Sequence, residues 1–216
     1  MEKKWSELLF DITKNILLEE LFEPFENPWE VLGELKNFIR KKIVPQNFGK
    51  IMDYVVIEGQ VSIGKGTVVE PGSYIKGPVI IGENCEIRQG AYIRGDVLVG
   101  NNCVVGHTTE VKNSVFMDGA KAGHFAYIGD SVLGNRVNLG AGTKLANLKI
   151  TPGSVKMKIN EKIVDSNLRK FGALLGDDVQ TGCNSVTSPG TILGKSSLVF
   201  PCAHCHGVFD SKSVIK

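Results

Sequence analysis

Ile81-Gly82-Glu83-Asn84-Cys85-Glu86-Ile87-Arg88-Gln89-Gly90-Ala91-Tyr92-Ile93 is the stretch that decides the fold. An aliphatic residue stands at every sixth position, and four places after it comes a small one, Cys85 or Ala91. Neither a helix nor an alternating strand repeats every six residues. A hexapeptide-repeat β-helix does, because each repeat supplies one short face and turns one corner. Outward from this stretch the aliphatic series runs back through Ile75, Val69, Ile63 and Ile57, and forward through Val99, Val105 and Val111. Its companions Val61, Thr67, Ser73, Val79, Val97, Cys103 and Thr109 are small or β-branched. The pattern predicts stacked aliphatics inside three faces, with cysteines such as Cys85 and Cys103 as small core residues.

Composition agrees with a core of that kind. The 216 residues include 25 glycines but only ten Phe, four Tyr and two Trp. A formal charge of +2 gives no general electrostatic case for nucleic acid or an anionic membrane. The most apolar early run, Ile16-Leu17-Leu18, is cut by Glu19 and Glu20, so no membrane span or leader is expected. Five cysteines without a stapled-scaffold pattern point to a reducing, cytoplasmic compartment.

The period breaks at informative places. Only five residues separate Val111 from Phe116, and Ile128 from Leu133, which should re-aim side chains locally as a bulge does. After Asn147 the repeat is lost through an excursion near 148–172. There Val155–Ile159 alternates like a strand, and Asn160-Glu161-Lys162 leads into Ile163-Val164, predicting a hairpin. The period returns at Leu175, Thr181, Thr187, Leu193, Val199 and Cys205. This counting gives about five coils before Asn147 and about two after it.

Residues 1–50 form a separate N-terminal helical segment, and 51–216 the β-helix. Trp5, Leu8, Leu9, Ile12, Ile16 and Leu17 recur at helical spacing, and so do Trp29, Val31, Leu32, Leu35, Phe38 and Ile39. Two helices are expected, covering one end of the solenoid or bridging subunits. Flat aliphatic-backed faces and a triangular section predict a homotrimer.

Four histidines can carry chemistry. His204 and His206 lie in Pro201-Cys202-Ala203-His204-Cys205-His206-Gly207, where neighbouring side chains point apart, so no metal is assigned. His107 follows Gly106 at a corner. His124 is the better catalytic candidate: it stands between the two shortened repeats, with the basic residues Arg94 and Lys112 about one coil away.

Four segments then carry a resemblance: Glu110-Val111-Lys112, Ala122-Gly123-His124-Phe125-Ala126-Tyr127-Ile128-Gly129-Asp130, Val137-Asn138-Leu139-Gly140-Ala141-Gly142-Thr143, and Asn147. They are similar to the acetyltransferase domain of the bifunctional N-acetylglucosamine-1-phosphate uridyltransferase/glucosamine-1-phosphate acetyltransferase. The related C-terminal domains of sugar-1-phosphate nucleotidyltransferases resemble the chain more closely. The resemblance covers roughly residues 20–210 and implies a left-handed parallel β-helix, a trimer and active sites between subunits. It implies that His124 is the general base that deprotonates a sugar amine. Lys112, Tyr127 and Asn138 would hold an amino-sugar phosphate, with Arg94 nearby and Lys170 or its rival Lys156 as a further phosphate lysine. Ala141, Asn147 and Cys183 would lie along acetyl-CoA. A neutral imidazole suits proton removal near pH 7, and no metal is required.

Departures matter too. Tyr92 stands where the bifunctional enzymes use a phosphate-binding arginine, and Leu148 where they place a tyrosine. The N-terminal residues cannot hold a nucleotidyltransferase domain. The implied function is an acetyl-CoA-dependent N-acetyltransferase of an amino-sugar phosphate or a nucleotide-linked amino sugar. The alternative is a non-catalytic trimeric scaffold or regulatory partner of a separate sugar nucleotidyltransferase. A carbonic anhydrase of the same fold, suggested by Arg94-Gly95-Asp96, would need three converging histidines, two of them five residues apart, and the chain has no such pair.

Overall fold

The computed structural model describes residues 4–13 and 15–216. Three parallel sheets of nine, nine and eight strands form the three faces of a left-handed β-helix. The first face includes Val97–Val99 and Ser114–Phe116, the second Val104–His107 and Lys121–His124, and the third Glu110–Lys112 and Tyr127–Gly129. Residues one coil apart pair in register, as Val97 does with Val79 and Ile75 with Ile93. The six-residue series points inward as read: Val69, Ile75, Ile87, Ile93, Val105 and Val111 are all fully buried. Thr67, Cys85, Ala91 and Cys103 fill the corners between them. The cysteines are free thiols.

The solenoid is longer than the period indicated. Gln46–Asn47 and Lys50–Ile51 open an earlier coil, and Val208–Phe209 and Val214–Ile215 close a later one. End coils have a neighbour on one side only, so their side chains are largely exposed and the aliphatic requirement lapses there.

The N-terminal segment contains three helices, α1 (Trp5–Leu9), α2 (Ile16–Phe22) and α3 (Val31–Lys42). Two were expected. The first amphipathic run is divided because Asn15 acts as an N-cap, its side chain accepting from the N–H groups of Leu17 and Leu18. The helices cover neither end. They lie along the first face, whose outward column Ile80, Leu98, Val115, Val132, Leu174 and Ile192 is apolar throughout. Leu9, Phe10, Phe22, Trp29, Leu35 and Ile39 pack into a second core with these residues. Apolar surface on both sides explains the docking, since leaving it wet would cost roughly 25 cal/mol per Å².

The excursion is a hairpin, Lys156–Ile159 against Lys162–Asp165. Asn160 and Glu161 both have positive φ, the geometry of a two-residue turn that matches strand twist. Val155 and Met157 join the second core, and Phe171 sits 6.4 Å from Trp29 between ring centroids. Among the described residues no helix is long and apolar enough to cross a membrane.

Candidate active site

Two ladders of side chains flank the third face on its middle coils. The first occupies the corner after the second face. His107 and His124 pair in register there, and the same column continues through Ala141 and Cys183. Gly142 N–H donates to the His124 carbonyl at 3.1 Å, and Asn184 N–H to that of Ala141 at 2.8 Å. A parallel column of glycines lets these coils touch backbone to backbone: a Cβ on Gly106 would lie 1.8 Å from the Gly123 oxygen. The Nδ1 of His107 is 2.9 Å from the Gln89 carbonyl, which can only accept, so that nitrogen carries the proton. His124 is exposed, with its ring centroid 6.1 Å from that of Phe125. Phe125 is also exposed, at φ +35°, a conformation that a bulky residue adopts under strain.

The second ladder fills the corner after the third face. Asn113, Asp130 and Asn147 follow at 17-residue spacing and stand one above another. The Asp130 carboxylate is 4% exposed and accepts from Asn113 Nδ2 at 2.9 Å, from Asn147 Nδ2 and from Lys112 Nζ at 3.2 Å. A buried carboxylate persists only when it is paired in this way. Tyr127 donates its hydroxyl to Asn147 Oδ1 at 3.4 Å. Burial, and then the charges of Glu110 and Asp130, raise the Tyr127 pKa, which keeps the phenol protonated as a donor. The shortened corners supply Asn113 and Asp130 themselves, both at positive φ.

His124 and Asp130 are six residues apart with the strand Tyr127–Gly129 between them, so the ladders stand within about 20 Å along the chain. The structure gathers Lys112, Tyr127 and Asn147 around Asp130, and His124, Ala141 and Cys183 along the other corner. Arg94 lies on the third face, 2.5 Å from Glu110 Oε1 and 5.8 Å from the Tyr92 ring centre. Asn138 is on the second face beside Lys121, off both ladders. Lys170 bridges to Leu148, next to Phe171, whose N–H donates to the Asn147 carbonyl. Lys156 is carried away on the hairpin, 3.7 Å from Asp165.

Reading inward positions passed over Asp130, Asn113, Glu110 and Phe125 as functional residues. Their signal is the 17-residue recurrence Asn113, Asp130, Asn147 across the shortened corners. Among the described residues no three His, Cys, Asp or Glu side chains are grouped to hold a metal ion. Cys205 is buried, and His204 Nε2 lies 2.8 Å from Ser188 Oγ.

A family described as the GMPPB C-terminal domain matches residues 75–199, which include both ladders. The chain is 39% identical over 176 residues to the bifunctional sugar-1-phosphate nucleotidylyltransferase/acetyltransferase of Sulfurisphaera tokodaii. That alignment covers 82% of this chain and 44% of the relative. The bifunctional protein GlmU of Methanococcus aeolicus is 39% identical over 186 residues, covering 86% of this chain and 45% of its own. The chain thus spans less than half the length of these curated relatives. Among solved structures, a UDP-N-acetylglucosamine acyltransferase from Campylobacter jejuni shares the fold at 16% identity and a TM-score of 0.52. It covers 77% of this chain and 74% of that one. On its sequence and its left-handed β-helix alike, the chain belongs to the GMPPB C-terminal domain family.

Proposed function

We propose that the chain is an acetyl-CoA-dependent N-acetyltransferase acting, as a homotrimer, on an amino-sugar phosphate or a nucleotide-linked amino sugar. The observation that carries this reading is the pairing of two corners. An open imidazole, His124, has only Ala141 and Cys183 above it in its column, and a cationic, hydrogen-bonding cluster stands one strand away.

The small side chains of the corner leave room along the solenoid axis for a thioester and its pantetheine arm, which acetyl-CoA supplies when bound. As the lone pair of the neutral substrate amine attacks the acyl carbon, His124 accepts the one proton that the nitrogen loses. As the carbon–sulfur bond breaks, the imidazolium returns a proton to the departing thiolate. Lys112 is held by Asp130 yet remains partly exposed, so its ammonium is ordered in advance for a phosphate oxygen. Tyr127 offers its hydroxyl beside it, and Asn147, expected along acetyl-CoA, stands with this cluster through Tyr127 and Asp130 and not with Ala141 and Cys183. Arg94 and Lys170 add positive charge at the rim, with Lys156 as the more distant alternative. Asn138 lies on another face of the chain, so in this trimeric reading a neighbouring copy supplies it to the site.

The Sulfurisphaera tokodaii relative is named for both nucleotidylyl and acetyl transfer, so a sugar nucleotidyltransferase is the natural partner. The test is release of coenzyme A from acetyl-CoA across a panel of amino-sugar phosphates and nucleotide-linked amino sugars. Release with one or more of them supports the reading. No release with any, together with stable binding to a nucleotidyltransferase, would replace it with the scaffold reading.

A further inference from the structure

The helical segment is tied to the solenoid by polar contacts at both edges of the first face. At one edge Asn135 Nδ2 donates to the Asp11 carbonyl at 3.0 Å and to Asp177 Oδ1 at 2.9 Å. At the other edge Asn113 Nδ2 donates to the Leu32 carbonyl of α3 at 3.1 Å and to Asp130 Oδ1 at 2.9 Å. The two ties are alike in kind and differ in what lies behind them. Behind Asn113 is the carboxylate that also holds Lys112 and Asn147.

We infer that Asn113 is a positioning residue through which α3 braces the substrate phosphate site. Resting on the reading proposed above, the chain of contacts is Leu32 carbonyl, Asn113 amide, Asp130 carboxylate, Lys112 ammonium. Each link fixes the next. The Leu32 carbonyl orients the Asn113 amide, and the amide fixes one carboxylate oxygen. The carboxylate in turn restricts a lysine side chain that would otherwise lose its rotamer freedom on binding. The excursion supports the same carboxylate residue from the opposite side, since Gly172 N–H donates to the Asp130 carbonyl at 2.8 Å. Asp130 has little freedom of its own: its backbone N–H donates to the Lys112 carbonyl at 3.0 Å. Helices on one face therefore set the geometry of a ligand site on another.

Asn113 has φ +42°, so alanine there would add backbone strain to the loss of the amide. Asn113→Gly removes the amide and keeps the left-handed backbone unstrained. Asn135→Ala removes the matching amide at the other edge, where Asp177 keeps its bonds to Asp11 and Leu9, and serves as the structural control. For Asn113→Gly, the expected result is a KM for the amino-sugar phosphate about tenfold higher, the scale of one lost charge-assisted hydrogen bond. Its kcat and its KM for acetyl-CoA should stay within about twofold of the wild type, and Asn135→Ala should leave all three unchanged. Equal shifts in both variants, or none in Asn113→Gly, would overturn the brace. If the wild-type chain turns over no amino sugar, the functional reading fails instead. The brace is then read from mass-spectrometric acylation of Lys112 by an amine-reactive ester. Faster labelling in Asn113→Gly than in both wild type and Asn135→Ala supports it, and equal rates refute it.

Discussion

His107 and His124 are register partners on adjacent parallel strands, yet only one of them is tied back. The His107 ring donates to the Gln89 carbonyl, while His124 is open to solvent. The proposed proton transfer therefore falls to His124 alone. His124→Ala should lower kcat by at least about a hundredfold, and His107→Ala by less than about tenfold. Steady-state coenzyme A release separates the two. A loss at His124 no larger than that at His107 would remove it as the base.

Gly106 and Gly123 occupy equivalent positions one coil apart and should respond in opposite ways to a methyl group. A Cβ on Gly106 meets the Gly123 carbonyl oxygen, a backbone atom that cannot step aside. Gly106→Ala should cost about 3 kcal/mol or more. On Gly123 the nearest atom is the end of Arg88 at 3.8 Å, so Gly123→Ala should stay within about 0.5 kcal/mol of wild type. The added methyl beside His124 should nevertheless slow turnover. Denaturant midpoints together with turnover test both halves.

Tyr127 gives a pH signature. Its pKa is raised by burial first and by Glu110 and Asp130 next. Folding therefore favours the protonated phenol, and this contribution is complete below the unfolded value near pH 10 and lost as pH rises through the folded pKa. Wild-type protein should lose stability relative to Tyr127→Phe above about pH 10 and match its pH dependence below that. Urea melts at pH 8 and pH 11 show the difference. Tyr74 is also raised, through its hydrogen bond to Glu58, but it is present in both proteins and cancels.

Trp29 joins the helices to the excursion through Phe171 and is 2% exposed. Trp29→Ala should cost about 3–5 kcal/mol. It should also open the hairpin to proteolysis before the coils, which stacking holds separately. Limited digestion followed by fragment mass measurement checks the order of cleavage.

The inward stack was legible because a buried solenoid position accepts little besides an aliphatic, and Ile75, Ile87 and Ile93 meet that demand every six residues. The hairpin was legible from the alternation of Val155–Ile159 ahead of Asn160-Glu161-Lys162, although Lys162 proved to belong to the second strand. The covering of the first face was not. Its outward residues sit next to inward ones in Val97-Leu98-Val99, Val132-Leu133, Leu174-Leu175 and Ile192-Leu193, and a period of six uses only one aliphatic from each cluster. The doubled aliphatics were the mark of a face with something on it. Within the site, His124 stood out between the shortened repeats with Lys112 nearby, and Tyr127 and Asn147 came by resemblance, whereas Asp130 depends on coil length. Its partners are 17 residues away on either side, so it emerges only once the shortened corners are counted into each turn.

The excursion leaves the coil register intact. Ser131 bonds to Ala173, 42 residues later, in the position where one coil earlier Ser114 bonds to Ser131 across 17. The solenoid meters height by strand pairing and is indifferent to how much chain passes between two corners. The length of chain between the two corners is therefore free of the register: Val132 still pairs with Leu174, and Asn138 with Gln180, across residues 148–172. Under the proposed function, such a scaffold can vary the chain beside Lys112 while the column of His124, Ala141 and Cys183 stays in register.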